Sequence, residues 1–369
     1  MLRRGLEDIK PYEPGRPIEL VEKELGITEA IKLASNESPY GPFPRVIEAM
    51  KDALFGVNRY PDGGSTFLRE KIADKLNILP SRIMVGHGSN ELLRLLANVL
   101  LNPGDEAVMA VPSFIVYPTV VKLMHAKAVE VPLKDHRHDL EAMANAVTDK
   151  TKIIFICNPN NPTGTIVARD EVERFMQRIP EDVVVVFDEA YYELVKAPEY
   201  PNGLDFAEGK NPVVVLRTFS KVYGLAGCRI GYGIAPEFII EAINKVREPF
   251  NVNSVAQAGA LCCLDCDEEV KERQNLNYEG LMFLYKEFER LGLDYIPSHA
   301  NFVLVDIGMN DRAASAMLMK RGIIVRSGDI FGYPNYLRVT VGTPDENVNF
   351  VKQLEDILKS RKEEHHAVR

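Results

Sequence analysis

The sequence predicts an α/β protein in which a mostly parallel sheet has helices on both faces, together with a smaller α+β domain. Strand-like runs alternate with helical segments from about residue 80 to residue 235, as in repeated βαβ units. One run, Val183–Phe187, is uninterrupted and rich in valine, which is typical of a strand buried on both faces. From Leu293 on, the pattern changes to α+β, which indicates the second domain.

The length of 369 residues exceeds that of one ordinary domain. We predict three parts. Residues 1–45 are an N-terminal arm and part of the small domain, residues 46–285 form the large, ligand-binding domain, and residues 286–369 form the C-terminal small domain.

The composition argues against several classes of function. The net charge of −9 makes a nucleic-acid partner unexpected, because no basic excess is present. No apolar stretch approaches about 18 residues, so no membrane span is expected. Met1–Lys10 is charged where a signal peptide would be apolar, which predicts a cytoplasmic location. The five cysteines have no disulfide or metal-site spacing, so no metal is expected.

The N-terminal elements come first. Residues 1 to about 32 read as an extended arm rich in proline and charge. The loop Leu33–Pro42 follows, either as a plain linker or as a loop folded over a site. Amphipathic spacing predicts helices at Arg45–Phe55 and at about Thr66–Leu76, separated by the turn Arg59–Gly64.

A glycine turn, Gly86–Glu91, connects the predicted strand Ile83–Val85 to a helix over Leu92–Leu101. Such a turn offers backbone N–H groups and the positive end of the helix dipole to an anion. The pattern is not GxGxxG, so we do not predict a Rossmann site. His87 is expected to be structural rather than catalytic.

Two further strand ends carry candidate residues. The strand Glu106–Val111 is followed by Phe114, which either belongs to the core or covers the face of a flat ring. The strand Lys152–Ile156 runs into Cys157–Gly164, where three asparagines and two prolines favour a rigid functional loop. The remaining elements of this region are predicted at Lys127–Val131, Leu140–Ala146 and Asp170–Arg178.

The strongest chemical signal comes from the next two strand ends. Asp188 follows the valine-rich strand, and a carboxylate buried there is costly unless it meets a cation such as a pyridinium N–H. The strand Pro212–Leu216 leads to Ser220 and Lys221, with Arg229 eight positions after the lysine. A lysine in a desolvated crevice can form a Schiff base, and the serine and arginine can hold an anion. Together these groups suggest an aldehyde that carries a phosphate, namely pyridoxal phosphate.

The parallel strands are expected to bring these loops together at one edge of the sheet, as a single site. In the C-terminal part, Arg326 and Arg338 lie in or beside strands and are either surface residues or an anion-binding pair. The elements predicted there are the helices Glu237–Arg247, 268–291, Arg312–Arg321 and Pro344–Ser360 and the strands Asn301–Val305, Ile323–Val325 and Tyr336–Val341.

Seven segments, in this order, resemble the fold-type I pyridoxal-phosphate-dependent aminotransferases over nearly the whole chain. They are Leu33–Pro42, Arg59–Asp62, Gly86–Glu91, Asn158–Gly164, Asp188–Tyr191, Thr218–Lys221 and Leu337–Gly342. Among these enzymes, the chain is most similar to the histidinol-phosphate aminotransferases. The resemblance implies a ping-pong transfer of an amino group from L-histidinol phosphate to 2-oxoglutarate, in histidine biosynthesis.

The resemblance also implies roles for single residues. Lys221 would bind the cofactor aldehyde and shuttle a proton, Asp188 would pair with the pyridine nitrogen, and Tyr191 would hydrogen-bond the ring oxygen. The implied cofactor-binding residues are Tyr60, Ser89, Asn90, Phe114, Asn161, Asp188, Tyr191, Thr218, Ser220, Lys221 and Arg229. Tyr60 would reach the cofactor of the other subunit, which implies a homodimer. The implied substrate-binding residues are Asn36, Arg326 and Arg338.

Two positions depart from the pattern of these enzymes, with Asn90 where aspartate is frequent and Phe114 where tyrosine is common. Asn90 can still donate its backbone N–H to the cofactor, and the Phe114 ring can still stack on it. The substrate stays open, because aromatic aminotransferases and threonine-phosphate decarboxylases share the scaffold and no motif decides between C–H and C–C cleavage. A non-catalytic regulator that binds the cofactor is a more distant alternative, since this acidic chain has no spare segment for a DNA-binding module.

Overall fold

A computed structural model of the chain describes residues 6–7, 9, 11 and 15–367, with side chains as far as residue 360. The helices are α1 (Ile18–Leu25), α2 (Pro44–Leu54), α3 (Thr66–Leu76), α4 (Ser89–Leu100), α5 (Val116–Leu123), α6 (Leu140–Asn145), α7 (Arg169–Arg178), α8 (Glu237–Val246), α9 (Ser254–Cys263), α10 (Asp267–Leu291), α11 (Asp311–Lys320) and α12 (Pro344–Ala367). The strands are β1 (Ile31–Lys32), β2 (Ile83–Gly86), β3 (Glu106–Val111), β4 (Lys127–Pro132), β5 (Thr151–Cys157), β6 (Val184–Asp188), β7 (Val213–Thr218), β8 (Gly231–Ile234), β9 (Tyr295–Ile296), β10 (Phe302–Asp306), β11 (Ile323–Ile324), β12 (Arg326–Ser327) and β13 (Tyr336–Thr340).

The large sheet has the strand order β2-β8-β7-β6-β5-β3-β4. Strand β8 runs antiparallel to both its neighbours, whereas β3 to β7 are parallel to one another. Because successive side chains of a strand point to opposite faces, Ile154 of β5 joins one hydrophobic core and Phe155 joins the other. The prediction of a mostly parallel sheet between two layers of helices is therefore confirmed.

Each face of this sheet is covered by its own set of helices. Helices α4, α5 and α8 bury leucine, valine and isoleucine side chains in one core. Helices α2, α3, α6, α7 and α9 pack in the other core. The carboxyl ends of the parallel strands stay uncovered by these layers, so loops can converge there.

The second sheet is antiparallel, with the order β12-β13-β10-β9, and it packs against α10, α11 and α12. Strand β1 pairs in parallel with β11, and Leu33 is buried in the core of this small domain. Strand β1 and Leu33 thus pack with elements of the C-terminal part of the chain. The boundary expected at residue 285 falls inside α10, and both domain boundaries remain predictions.

The N-terminal arm differs from the extended chain that its prolines suggested. Residues 1–5, 8, 10 and 12–14 lie outside the described part, but Ile18–Leu25 is helical. Pro17 is in the extended conformation at the helix N-cap, where a proline costs no hydrogen bond, and Gly26 ends the helix with a φ of 64°. Val21 anchors the helix in a small core with Ala34 and is 0% exposed.

No helix within residues 15–367 combines the length and the apolar character that a membrane span requires.

Candidate active site

A cavity of about 320 Å³ lies at the carboxyl edge of the large sheet. It is lined by side chains from the loops that follow β2, β3, β5, β6 and β7, from the N-terminal loop and from β13. The residues predicted for the site that line it are Asn36, Ser89, Asn90, Phe114, Asn161, Asp188, Tyr191, Thr218, Ser220, Lys221, Arg229 and Arg338. The structure therefore brings together residues that are far apart in sequence.

Lys221 follows the buried strand β7 and presents its amine to the cavity. Its Nζ donates a hydrogen bond to the carbonyl oxygen of Asn36 at 3.1 Å and lies 5.5 Å from the centre of the Tyr191 ring. Burial and then the nearby Arg338 guanidinium lower the pKa of Lys221 to about 8. An amine with this pKa is partly neutral near pH 7, so it can act as a nucleophile and a base.

Asp188 ends the fully buried strand β6 and is itself 3% exposed. Its Oδ2 accepts a hydrogen bond from the Tyr117 hydroxyl at 2.8 Å, while its Oδ1 has no hydrogen-bond partner among the described residues. Burial raises the pKa of Asp188 to about 6, against the lowering effect of the Tyr117 hydroxyl. A buried oxygen of this kind is costly unless a ligand donates to it, and a protonated pyridine nitrogen would do so.

The other end of the cavity is suited to an anion. Helix α4 begins at Ser89, so its first N–H groups and the positive end of its dipole face this end. The Arg229 guanidinium donates to Ser220 Oγ at 3.3 Å, and it lies so close to Gly88 that a Cβ there would be 2.5 Å from Nη2. Gly88 also has a φ of 74°, so glycine is favoured both by this backbone conformation and by the close approach of Arg229. A helix N-terminus, hydroxyls and an arginine together fit a phosphate.

The asparagine-rich loop has one member that reaches the cavity. Asn158 and Asn160 are 2% and 1% exposed, and their side chains bond the backbone or side chains of the loop and its neighbours. Asn161 instead lines the cavity, where its Oδ1 accepts from Arg338 Nη1 at 2.7 Å. Two of the three asparagines therefore hold the loop rigid, which leaves the third side chain available to a ligand.

The wall opposite the large sheet comes from the N-terminal loop and the small domain. Asn36 has a φ of 54°, and its Nδ2 donates to the Tyr191 hydroxyl at 3.0 Å. Burial raises the pKa of Tyr191, so this hydroxyl stays protonated and can donate in turn. Arg338 also donates to the Ala34 carbonyl at 3.0 Å, so its guanidinium is fixed at the cavity wall.

Two predicted site residues lie outside this cavity. Tyr60 is 81% exposed and stacks on Phe250 with ring centres 4.6 Å apart. Arg326 lies directly opposite Arg338 in the register of β12 and β13, but it lines a separate cavity of about 140 Å³.

The sequence interpretation missed several residues that line or support the cavity, among them Glu37, Cys157, Phe331 and Tyr117. Glu37 could have been predicted from the sequence, because it belongs to the loop Leu33–Pro42 that was considered as a loop over the site. Tyr117 is three positions after Phe114, and this spacing would place both rings on one side of a helical turn. Its bond to Asp188 has no sequence signal.

The family described as aminotransferase class I and II matches residues 28–354 of the chain. The chain belongs to this family. A relative named histidinol-phosphate aminotransferase 2, from Carboxydothermus hydrogenoformans, is 52% identical over 97% of this chain and 99% of its own length. The histidinol-phosphate aminotransferase of Moorella thermoacetica is 47% identical over 96% of this chain and 92% of its own length.

Among solved structures, the histidinol-phosphate aminotransferase of Sinorhizobium meliloti in complex with pyridoxal 5'-phosphate superimposes with a TM-score of 0.88. It is 28% identical, over 97% of this chain and 98% of that one. As a class I and II aminotransferase, the chain is a pyridoxal-phosphate-dependent transaminase, so the predicted enzyme class and cofactor are confirmed. The cavity fits this cofactor, since it offers a lysine amine, an anion site and a buried carboxylate oxygen that has no partner in the part of the chain that the structure describes.

Proposed function

We propose that this aminotransferase transfers the amino group of L-histidinol phosphate to 2-oxoglutarate, giving imidazole acetol phosphate and glutamate, in histidine biosynthesis. The observation that carries the proposal is the 52% identity, over almost the full length of both chains, to a relative named for that substrate. The proposal is also supported by the Arg338 guanidinium at the cavity wall, since both substrates are anions.

The proposed mechanism assigns proton transfer to Lys221. Bound pyridoxal phosphate supplies an aldehyde that joins the substrate amine and a ring that withdraws electrons from the reacting carbon. Lys221 Nζ, whose pKa is lowered to about 8 by burial, would take the proton from the substrate Cα and return it on the cofactor side. Its hydrogen bond to the Asn36 carbonyl would hold the amine in the cavity during this transfer.

The other cavity residues are proposed to bind and orient. Asp188 Oδ1 would keep the ring nitrogen protonated, and Asn161 and Tyr191 would donate hydrogen bonds to the ring oxygen. Phe114 would cover one face of the ring. The residues proposed to hold the cofactor phosphate are Ser89, Asn90, Thr218, Ser220 and Arg229.

Arg338 is proposed to bind the carboxylate of glutamate and 2-oxoglutarate in one half-reaction and the substrate phosphate in the other, with Arg326 as the second cation and Asn36 beside them. Directly opposed residues of an antiparallel pair project from the same face of the sheet, which supports a shared role. Arg326 lines the neighbouring cavity, so this role requires its side chain to turn towards the substrate.

We further propose a cytoplasmic homodimer. The support is a stretch of the chain, residues 54–67, that carries five exposed apolar side chains, Leu54, Phe55, Val57, Tyr60 and Phe67, of which Phe55 is 91% exposed. Large apolar side chains exposed this close together in the sequence favour association with another protein surface. Tyr60 lies in this stretch, and a second copy docked there would receive its hydroxyl at the cofactor phosphate.

Steady-state kinetics tests the substrate. With 2-oxoglutarate as acceptor, we expect a kcat/KM for L-histidinol phosphate at least about a hundredfold above those for phenylalanine and tyrosine, because a bound phosphate group contributes several charge-assisted hydrogen bonds. Faster turnover of the aromatic amino acids would make the chain an aromatic aminotransferase. Release of carbon dioxide from threonine phosphate would make it a decarboxylase.

A further inference from the structure

Tyr117 is a buried side chain beside the cavity to which the proposed function gives no role. It lies in the first turn of α5 and is 1% exposed. Its ring stacks on Phe155, with centres 4.7 Å apart and planes 4° apart, and meets the edge of Phe114 at 5.6 Å. Two aromatic contacts thus fix the position of the ring, and with it the position of the hydroxyl.

The hydroxyl of Tyr117 is a dedicated donor. It lies 2.8 Å from Asp188 Oδ2, and an ionised carboxylate can only accept, so the tyrosine donates. Burial raises the pKa of Tyr117 well above its ordinary value, so the donor is not lost at any working pH.

We propose that Tyr117 is a positioning residue that holds the Asp188 carboxylate in place and leaves Oδ1 as the acceptor for the ring nitrogen of the cofactor. The inference rests on the proposed role of Asp188. It follows from the two oxygens of one carboxylate: Oδ2 is occupied by Tyr117 from the side of α5, and Oδ1 has no partner among the described residues. A hydrogen bond to one oxygen disfavours rotation of the carboxylate, because rotation would break that bond, so the second oxygen stays directed at the ligand.

Tyr117 also keeps this carboxylate charged. Burial raises the pKa of Asp188, and of the groups that oppose burial the Tyr117 hydroxyl has the largest effect. The other groups that act on the Asp188 carboxylate are the Ala190 N–H and the Lys221 amine, which lower its pKa, and Glu189, which raises it. The Cys157 thiol also lies near, and burial raises its pKa to about 12, so it stays neutral.

The test is Tyr117→Phe, which removes the hydroxyl and keeps the ring. The readout is the affinity of the apoenzyme for pyridoxal phosphate as a function of pH. Only ionised Asp188 pairs with a protonated ring nitrogen, so wild-type affinity is expected to fall as the pH drops through about 6. Without the hydroxyl the pKa of Asp188 rises, so the fall begins at a higher pH. Near neutral pH the affinity should drop about tenfold for each unit by which the pKa of Asp188 comes to exceed the working pH.

Tyr295→Phe is the matched control, because the Tyr295 hydroxyl also donates to a carboxylate, that of Glu289 at 2.9 Å, but in the small domain. It should leave the affinity and its pH profile unchanged. Asp188→Asn and the double variant complete a thermodynamic cycle, in which Tyr117→Phe should have little further effect once Asp188 is gone.

The outcomes separate the two proposals. An affinity unchanged by Asp188→Asn would overturn the proposed role of Asp188 itself. A large effect of Asp188→Asn, together with a Tyr117→Phe profile that coincides with the wild type, would overturn the role of Tyr117 alone. Loss of folding in Tyr117→Phe, monitored by the melting temperature of the apoenzyme, would show a purely structural role and would also overturn the inference.

Discussion

At the residue scale, the state of the Lys221 amine should decide how fast the apoenzyme captures its cofactor. Only the neutral amine attacks an aldehyde, and burial with Arg338 nearby lowers the pKa of Lys221 to about 8. The rate of attachment should therefore rise with pH through about 8 and then level off, which stopped-flow absorption can follow. A rate that keeps rising towards the ordinary lysine pKa would contradict this assignment.

Arg338 is the residue whose loss should separate substrate binding from cofactor binding. We expect Arg338→Ala to weaken binding of 2-oxoglutarate about 30-fold or more, as for truncation of one partner of a buried charge pair, with a much smaller effect on cofactor retention. KM measurements and equilibrium dialysis of the cofactor compare the two. Arg338→Lys keeps the charge but loses the paired donors, so it should recover only part of the loss. Equal losses of substrate affinity and cofactor affinity would contradict a role for Arg338 in binding the substrate alone.

Residues with a backbone signal were predictable from the sequence, whereas residues defined by a side-chain contact were not. Asp188 and Lys221 follow uninterrupted buried strands, so their place at the sheet edge follows from the chain alone. The hydrogen bond of Tyr117 depends on how α5 packs beside β6, which no local pattern encodes. Tyr60 lies in one of the matched segments and Arg326 lies beside a predicted strand, but whether either side chain lines the cavity depends on tertiary structure.

At the scale of elements, the turn before α4 should control the affinity for the cofactor phosphate. Gly88→Ala places a Cβ 2.5 Å from Arg229 Nη2 at a φ of 74°, so the guanidinium must move. We expect at least about a tenfold loss of cofactor affinity, on the scale of one strained residue at a ligand site.

Gly292→Ala is the control for this change, because Gly292 has a φ of 71° at the end of α10 and no described residue beyond its own helix and chain neighbours lies within 4 Å of the position of a Cβ. It should cost about 1–2 kcal/mol of unfolding free energy, because alanine is strained in the left-handed conformation, and leave cofactor affinity unchanged. Thermal unfolding of both variants measures the cost of backbone strain. Cofactor titration of both variants then shows whether the clash with Arg229 lowers cofactor affinity beyond that strain. Equal cofactor affinities in both variants would count against the phosphate site.

Where the hydrophobic periodicity is strong, the predicted bounds of a helix or strand agree with the structure; where it is weak, the element was not predicted. Helix α3 and strand β3 have the predicted bounds, because their apolar spacing and their flanking turns agree. Strand β8 was missed because two of its four residues are glycines, which have low strand propensity. Glycine is favoured there by packing, since a Cβ at Gly231 would be 2.9 Å from the Arg217 carbonyl oxygen and from the Ser89 backbone nitrogen.

At the scale of the whole molecule, the cavity lies where three parts of the chain meet. Asn36 comes from the N-terminal loop, Asp188 and Lys221 from the large sheet, and Arg338 from the small domain. The α/β alternation predicted the large sheet. The alternation does not encode the pairing of β1 with β11, which joins residues almost 300 positions apart, although residues 1–45 are predicted from the sequence to belong in part to the small domain.

The proposed homodimer predicts that two defective chains can complement each other. Lys221→Ala lacks the nucleophile and Tyr60→Ala lacks the proposed contact to the partner's phosphate site. A mixed dimer would contain one complete site, so random mixing of the two variants should restore roughly a quarter of the wild-type activity. Activity after co-refolding, at limiting cofactor, measures this. No recovery in a mixture that forms dimers would contradict a contribution of Tyr60 across the interface.

The central claim is that the amine of Lys221 carries the cofactor, opposite the carboxylate of Asp188. Borohydride reduction of the holoenzyme, followed by proteolysis and mass spectrometry, tests it most directly, because reduction makes the bond between lysine and cofactor permanent. We predict a single modified peptide with the cofactor on Lys221. A label on any other lysine, or no label at all, would contradict the assignment of the site.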